Sequence, residues 1–525
     1  MLKKATSKRM ALLVAMVMLI SLFTACGQSA NTDGTASTAE KTAQPAKETE
    51  KTNSGETLVL THYRRALGGA EQLPDNEKVK NYIEEQVGFK INMITVPSDQ
   101  YSEKMSLLLS SRQEMDSFDQ LALAENMQTL KAKQLIIPVN EYLDEYGQDI
   151  KKLLGSALDI ATDKEGTIWG FPRREARPHG NVPAIREDWV KKLGMEMPDT
   201  FAEYEAFMQG VLDTDLNGNG LNDEIPLAPM AGIAGLQLDF RASFLGENGG
   251  NYIEDGTVIP IYAHPNFKMM LGKFAEWYKK GYIYKEFYVD SDSKKGELKN
   301  ANRVGSYANW FTGGDQTFKQ VPECVYSPLP PLNDGPGKAA WGSNPEYTME
   351  VYLSSTGKHP ELMVKLLNWV CSDPANAVTC YYGLEGENWR WKDGNTKDTI
   401  ELIDGYSDRF NRHWLVLETF YPDFFPTIDY TDPVGMDINR VSNITKDFDF
   451  VENTDGIYPF NYIGTDAEHL TGDGQTMIDE AILKIIYGEA ELDSWDKTVK
   501  DYMKLEGDIY SKVRTEQYNE FYKKN

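Results

Sequence analysis

NEKVKNYIEEQVGFKINMITV, residues 76–96, reads as a helix that runs straight into a strand. Val79, Tyr82, Ile83 and Val87 recur at helical spacing and make one apolar stripe, and Gly88 stops it. Phe89 to Val96 then alternates as a strand does. Upstream, Thr57 to Thr61 is a short β-rich run. Downstream, Ser98 begins a helix with Tyr101, Met105, Leu108 and Leu109 on its apolar face, and Asp119 to Ala124 is another candidate strand. A helix around Asn126 to Lys133 leads to Leu135-Ile136-Ile137-Pro138. Strands alternating with helices of roughly 10–15 residues predict an α/β body with a mainly parallel sheet.

The texture persists beyond residue 170. Thr200 and Glu203 have capping-box spacing, and Phe201, Tyr204, Phe207, Met208 and Val211 form a helical stripe. Phe267 to Tyr278, Glu361 to Val370 and Met477 to Tyr487 are further amphipathic helices. Trp495, Val499, Tyr502 and Leu505, then Ile509, Val513, Tyr518 and Phe521, predict a pair of C-terminal helices. Trp189, Trp277, Trp369 and Trp495 lie on helical stripes and are expected in the core. No internal repeat is visible.

The 525 residues carry 54 Lys and Arg against 80 Asp and Glu. That length suffices for several domains or one large two-lobed body. A formal charge of −26 argues against nucleic acid or an anionic bilayer as the main partner, since both reward clustered cations.

The N-terminus reads as an address. Lys3, Lys4, Lys8 and Arg9 precede a 14-residue apolar run, Met10 to Phe23. A membrane span needs roughly 20 residues, whereas a signal-peptide core needs no more than this. The run exits through Leu22-Phe23-Thr24-Ala25-Cys26-Gly27, which resembles the lipobox of bacterial lipoproteins. That resemblance implies a signal peptide over 1–26 and lipidation of Cys26, an acyl anchor rather than a spanning helix. An ordinary signal peptide with a chance cysteine is the plainer alternative. Residues 27–56 are rich in Ser, Thr, Ala, Gly, Glu and Lys and lack aromatics, the composition of a disordered tether. Setting aside four cations in the leader, and three cations and five anions in the tether, leaves 47 against 75, a charge of −28. Of the remaining cysteines, Cys324, Cys371 and Cys380, at most one disulfide can form, with Cys371 and Cys380 the nearest pair in sequence. Burial as small apolar side chains is at least as good a reading.

Residues 213–226, DTDLNGNGLNDEIP, place an oxygen-bearing side chain at nearly every second position, with glycines where the chain must turn. Hard cations such as Ca²⁺ take six to eight oxygens, and such a loop supplies them. Two frames fit. One starts at Asp213 and meets the EF-hand pattern with Asp215, Asn217, Gly218 and Glu224, but puts Gly220 where an EF-hand carries an apolar residue. The other starts at Asp215 and continues through Asn217, Asn219, the Leu221 carbonyl, Asp223 and Glu224, with Pro226 ruling out an EF-hand. A polar Asn-Gly turn without metal is the alternative to both.

Pro183-Ala184-Ile185-Arg186-Glu187-Asp188-Trp189-Val190-Lys191-Lys192-Leu193-Gly194, then Pro198-Asp199-Thr200-Phe201, then DLNGNGLNDEIP from Asp215 to Pro226, form an ordered signature. It resembles the extracellular solute-binding proteins (family 1) of carbohydrate ABC importers, in the lipoprotein branch related to alginate-oligosaccharide-binding proteins. Gln134 to Pro138, Tyr382-Gly383-Leu384-Glu385-Gly386 and Trp495 to Tyr502 agree, so the resemblance spans roughly 57–525. It implies a two-lobed α/β clamp of the periplasmic-binding-protein type II kind, with the ligand between lobes. The implied N-terminal lobe comprises 57–170 plus about 345–425, and the C-terminal lobe 171–344 plus about 426–525. Crossings are expected near Trp169 to Pro172, near Tyr347 to Leu353, and within 385–430. The resemblance further implies a structural calcium on Asp215, Asn217, Asn219, Leu221, Asp223 and Glu224. It implies a monomer at the outer face of the membrane, held by its lipid, that passes an oligosaccharide to permease subunits.

Sugars stack their C–H faces on aromatic rings and offer hydroxyls to carboxylate, amide and guanidinium groups. Trp310, in Ser306-Tyr307-Ala308-Asn309-Trp310-Phe311, is the first stacking candidate, because the resembled family lines its cleft here. Trp341, Trp389 and Trp391 sit in polar, Gly-rich loops and come next. Tyr63, Arg64 and Arg65 follow the first strand, where open α/β sheets bind ligands, and Arg173 and Arg174 follow the first crossing. With Arg177 these arginines could form a cationic rim for an acidic sugar such as a uronide, or simply pair with the protein's own acids. No catalytic residue is assigned. Six histidines outside the leader make no His-x-x-x-His, and there is no Gly-x-Ser-x-Gly and no phosphate-cradling glycine loop. With 75 acids, a carboxylate dyad cannot be argued from presence alone. A calcium-dependent surface glycosidase or polysaccharide lyase, and a peptide receptor or adhesin, are the alternatives to a binding protein.

Overall fold

The computed structural model describes residues 57–522 apart from 66–73, 98–99, 121–122, 124–125, 175–180, 231, 311–312, 344, 346, 406–423 and 454–459. Cys26, the tether and Arg177 therefore lie outside the described residues. Nine strands build the two main sheets. They are β1 (Val59–Arg65), β2 (Lys90–Val96), β3 (Ser117–Asp119), β4 (Phe171–Arg174), β5 (Asn181–Arg186), β6 (Ile225–Ala228), β7 (Val304–Trp310), β8 (Tyr326–Pro328) and β9 (Tyr347–Leu353).

The opening helix spans Pro74–Val87. Val79 and Ile83 are buried as the stripe requires, whereas Tyr82 faces outward. Gly88 adopts φ 80°, a conformation that costs a residue with a Cβ, and its N–H closes the helix on Glu84 O at 2.9 Å. β2 follows at once and runs parallel to β1 along its whole length, from Val59 opposite Lys90 to Arg65 opposite Val96. The next helix, Tyr101–Ser110, buries Tyr101, Met105 and Leu109. The strand expected at Asp119 to Ala124 lies earlier, at Ser117–Asp119, because its pairing with β1 ends at Phe118. Asn126 then caps the helix Met127–Ala132, its Oδ1 accepting from Thr129 N–H.

The first sheet has five strands in the order β2-β1-β3-β9-β4. β1, β2 and β3 are parallel, as the alternation predicted, while β9 runs antiparallel to both β3 and β4. The second sheet has four strands in the order β8-β5-β7-β6, with β5 antiparallel to its neighbours and β6 parallel to β7. Both sheets are thus mixed, because some strands arrive from the other sheet rather than through a crossover helix. For the same reason the segments expected as crossings, Trp169 to Pro172 and Tyr347 to Leu353, contribute strands to the first sheet. The chain passes between sheets just beside them, between Arg174 and Asn181 and between Ser343 and Tyr347. A third passage leads from the small sheet of Trp389–Trp391, Thr399–Leu402 and Thr427–Asp429 to the helix Pro433–Thr445, whose Arg440 donates to Tyr326 O of β8.

Each sheet has its own core. Beside the first, Leu60, Ile83, Ile91 and Phe171 pack against Leu362, Leu366 and Val370 of the helix Pro360–Ser372. Beside the second, Trp189, Tyr204, Phe207, Phe240, Phe274 and Trp277 are fully or almost fully buried, with the Phe240 and Trp277 rings edge-on at 5.2 Å. Trp189, Trp277 and Trp495 are core residues as expected, and Trp369 is half-buried against the first core. The capping box forms: Thr200 Oγ1 accepts from Glu203 N–H at 3.1 Å, and the Glu203 carboxylate accepts from Asp199 N–H at 3.2 Å. The C-terminal helices are Ser494–Tyr502 and Asp508–Tyr522, joined through a π-helical turn, Met503–Gly507. Cys324, Cys371 and Cys380 are free thiols, and burial pushes Cys371 up to about 12.

Ahead of β4, Asp163 ties a turn to the helix Met127–Ala132. It accepts from Lys131 Nζ at 2.8 Å, Trp169 Nε1 at 2.6 Å and Thr167 N–H at 3.0 Å. Burial alone would raise this carboxyl, but the three donors outweigh it and hold it down to about 2. The folded value lies below the unfolded value of about 3.9, so the stabilisation is complete above that and is lost as pH falls toward about 2. Asp163→Asn is expected to lower stability at neutral pH, and the gap to wild type, followed by urea unfolding, should close as pH falls through this window. A gap independent of pH would refute the assignment.

Candidate ligand site

The carboxyl ends of β1 and β3, flanked by β4 and β9, gather charge inside the first sheet. His62, Arg64, Asp119, Arg173 and Glu350 are all buried there, and Arg65 is half-buried. β3 delivers Asp119 beside the end of β1, where its Oδ2 accepts from Arg65 N–H at 3.0 Å and its Oδ1 meets His62 Nε2 at 3.0 Å. The other ring nitrogen of His62 meets Ser117 Oγ at 2.9 Å, so a neutral His62 donating to Asp119 accepts the serine hydroxyl. Tyr101 donates to Asp119 O at 2.7 Å, and burial lifts its phenol well above the usual range.

Burial pushes the Arg64 and Arg65 guanidinium groups below the usual arginine range. Asp119 and Glu350 oppose that shift at both residues. Across the sheet, Arg173 donates from Nε to Thr348 Oγ1 at 3.0 Å and lies 3.5 Å from Glu350 Oε2. The result is a desolvated set of fixed guanidinium and carboxylate groups, each able to address a polyhydroxylated or anionic molecule.

The structure brings Arg64, Arg65 and Arg173 near one another, within β1 and β4 rather than after them. Tyr63 is buried in the cluster of Val96, Tyr101 and Phe118, so its ring is core. Two tryptophans are corrected. Trp341 is fully buried, with Nε1 donating to Leu329 O at 2.9 Å and its ring edge-on to Phe240. Trp389 is fully buried, with Nε1 donating to Gly383 O at 2.8 Å. In both, a nearby backbone carbonyl satisfies the indole N–H and so permits burial from a loop that reads as exposed. Trp391 is half-buried and packs edge-on to Trp389 at 5.3 Å. Trp310 and Arg174 close β7 and β4, opposite Asn181 and Tyr347, and their side chains lie outside what is described. Asp119, His62 and Glu350 were not predicted. The available signal was a carboxylate at the end of a strand parallel to the one that ends in two arginines.

In the second body, the oxygen-rich loop is organised around Asp215, which accepts from Gly218, Asn219 and Gly220 N–H at 2.7, 3.1 and 2.8 Å. Asn217 Nδ2 and Asn219 Nδ2 donate to Asp223 Oδ1 at 3.2 and 3.0 Å, and Glu224 Oε1 accepts from Asn217 N–H at 3.0 Å. Asp213 belongs to the preceding helix and accepts from Gln209. Glu224 is buried, and its Oε2 has no hydrogen-bond partner.

Asp119→Asn removes one of the two carboxylates that act on the buried Arg64 and on Arg65, leaving Glu350. A loss of about 3–5 kcal/mol in urea unfolding is expected, as for breaking other buried ion pairs. A change under 1 kcal/mol, on the order of a surface pair, would mean that the cluster is compensated elsewhere.

No protein-family model matches the chain. Over 269 residues, 47% of this chain and 50% of the other, it is 26% identical to the fructooligosaccharide ABC transporter substrate-binding protein FusA of Streptococcus pneumoniae serotype 4. Over 329 residues, 59% of this chain and 64% of the other, it is 22% identical to lipoprotein LipO of Bacillus subtilis strain 168. The chain thus spans about half to two-thirds of the length of these curated relatives. Among solved structures, FusA in complex with kestose superposes with a TM-score of 0.67 at 19% identity, covering 89% of this chain and 100% of FusA. An EF-hand mutant of FusA in complex with fructo-nystose gives 0.68 at 18% identity with the same coverage. Alginate-binding protein AlgQ2 without calcium ion gives 0.63 at 18% identity, covering 88% and 98%. The fold is therefore that of the two-lobed α/β solute-binding proteins, and the chain's relatives are substrate-binding proteins of carbohydrate ABC transporters.

Proposed function

We propose that this chain is the extracellular substrate-binding component of an ABC importer, which holds an oligosaccharide between its two bodies and delivers it to permease transmembrane subunits. It binds and does not catalyse. The observation that carries this reading is the buried Arg64, Arg65, Arg173, Asp119 and Glu350 set at the strand ends, in a fold shared with FusA, which holds kestose. Fixed donors and acceptors of both charges match the donor-and-acceptor character of sugar hydroxyls. Trp310, at the end of β7, and Trp391 are the remaining candidates for stacking, and Arg174 for the rim. The first sheet with its helices forms the N-terminal lobe and the second the C-terminal lobe, so ligand binding couples to their closure. The protein acts as a monomer, held outside the membrane by lipid on Cys26. The likeness to LipO, a named lipoprotein, supports the anchor.

Calcium fits the loop from Asp215. The buried, unpartnered Glu224 Oε2 is an orphan that a cation would satisfy. Among the described residues no group of three or more His, Cys, Asp or Glu converges. A site here must therefore draw on the amides of Asn217 and Asn219 and the Leu221 carbonyl beside Asp215, Asp223 and Glu224, and hard cations accept such oxygens. The ion would supply positive charge to an acidic loop and stiffen the C-terminal lobe.

Thermal unfolding of the chain with kestose, a neutral mannose-containing glycan and an acidic uronide, at constant calcium, tests the reading. A rise in midpoint with one sugar class and no product on incubation is expected. Sugar consumption would make the protein an enzyme, and no shift with any sugar would remove the carbohydrate reading. Separately, chelation should lower the ligand-free midpoint, calcium should restore it, and Glu224→Gln should lose that response. A midpoint indifferent to chelation would remove the ion.

A further inference from the structure

We propose that Asn126 is a clasp between the two bodies that slows ligand escape, an inference that rests on the ligand-binding reading above. Asn126 Nδ2 donates to Phe460 O at 2.7 Å, across 334 positions of sequence. The donor belongs to the first body. Asn126 caps the helix Met127–Ala132, whose Met127 and Leu130 are buried in the cluster that holds Tyr63 and Tyr101. The acceptor belongs to the second. The Phe460 ring packs with Val258, and Asn461 is bonded through both its N–H and its carbonyl to Gln517 of the C-terminal helix, at 2.8 and 2.6 Å. Arg514 of the same helix lies over the Phe460 ring at 5.7 Å.

Both ends of the bond are held rigidly. The Asn126 amide cannot turn away, because its Oδ1 is committed to Thr129 N–H at 3.0 Å. The Phe460 carbonyl is fixed by its neighbours on the C-terminal helix. Such a bond forms at one separation of the bodies and is lost when they part. A neutral hydrogen bond contributes a small net free energy, enough to bias an equilibrium between about twofold and tenfold but not to lock it. That is the strength a reversible clasp requires.

Two variants separate the clasp from the cap. Asn126→Asp and Asn126→Ser each keep an N-cap acceptor for Thr129 N–H, and neither has an amide N–H to give to Phe460. In the full chain, kestose dissociation followed by stopped-flow tryptophan fluorescence should quicken between about twofold and tenfold in both variants, with the ligand-free unfolding midpoint unchanged. Dissociation at the wild-type rate in both variants would overturn the proposal. If kestose does not bind the wild-type chain, that result bears on the choice of sugar, and the clasp is read from small-angle X-ray scattering of the ligand-free chain. A larger radius of gyration in both variants supports it, and an unchanged radius overturns it.

Discussion

A guanidinium group keeps its charge under any physiological condition, so burying one obliges the fold to bring an acid to it. Arg64 and Arg65 end β1, and the acids nearest in effect, Asp119 and Glu350, come from β3 and β9. That requirement is met only if β3 lies beside β1 in parallel register and β9 returns from far along the sequence to lie beside β3. His62 and Tyr101 then hold Asp119 in place, and Ser117 meets the other ring nitrogen of His62. The order of the first sheet and the polarity of its strand ends are one arrangement seen twice.

The second body is organised differently. Its centre is aromatic, with Phe201, Tyr204, Phe240, Phe274 and Trp277 packed at tilted or edge-on angles, and it carries the oxygen-rich loop at its periphery. Rigid packing of this kind resists deformation, so the proposed closure would fall to the three passages of the chain beside the two main sheets. A ligand that touches both bodies can therefore report its presence as a rigid displacement. The proposed ligand site at the strand ends and the proposed clasp from Asn126 to Phe460 would act on that one degree of freedom from different places, the former through the ligand and the latter directly.

Much of the local structure was legible beforehand. The stripe ending at Gly88, the strand that follows it and the Thr200 capping box were read from spacing alone, whereas spacing left two frames open for the loop of residues 213–226. The misses share a cause. Trp341 and Trp389 sit among glycines and polar residues, yet each is buried because a carbonyl three-dimensionally close by takes its N–H. Tyr63, Arg64 and Arg65 look alike as residues after a strand, but all three belong to β1, and the Tyr63 ring packs into the core.

The sequence by itself determined most of the helices and strands and the α/β class, since helical and strand periodicity act between residues a few positions apart, while the two-lobed arrangement was what the resemblance implied. Only the tertiary structure decided which acid meets which arginine, which tryptophans are covered, and that Asn126 reaches Phe460. Those contacts join residues separated by tens to hundreds of positions, and their partners are chosen by how sheets and helices pack rather than by any local pattern.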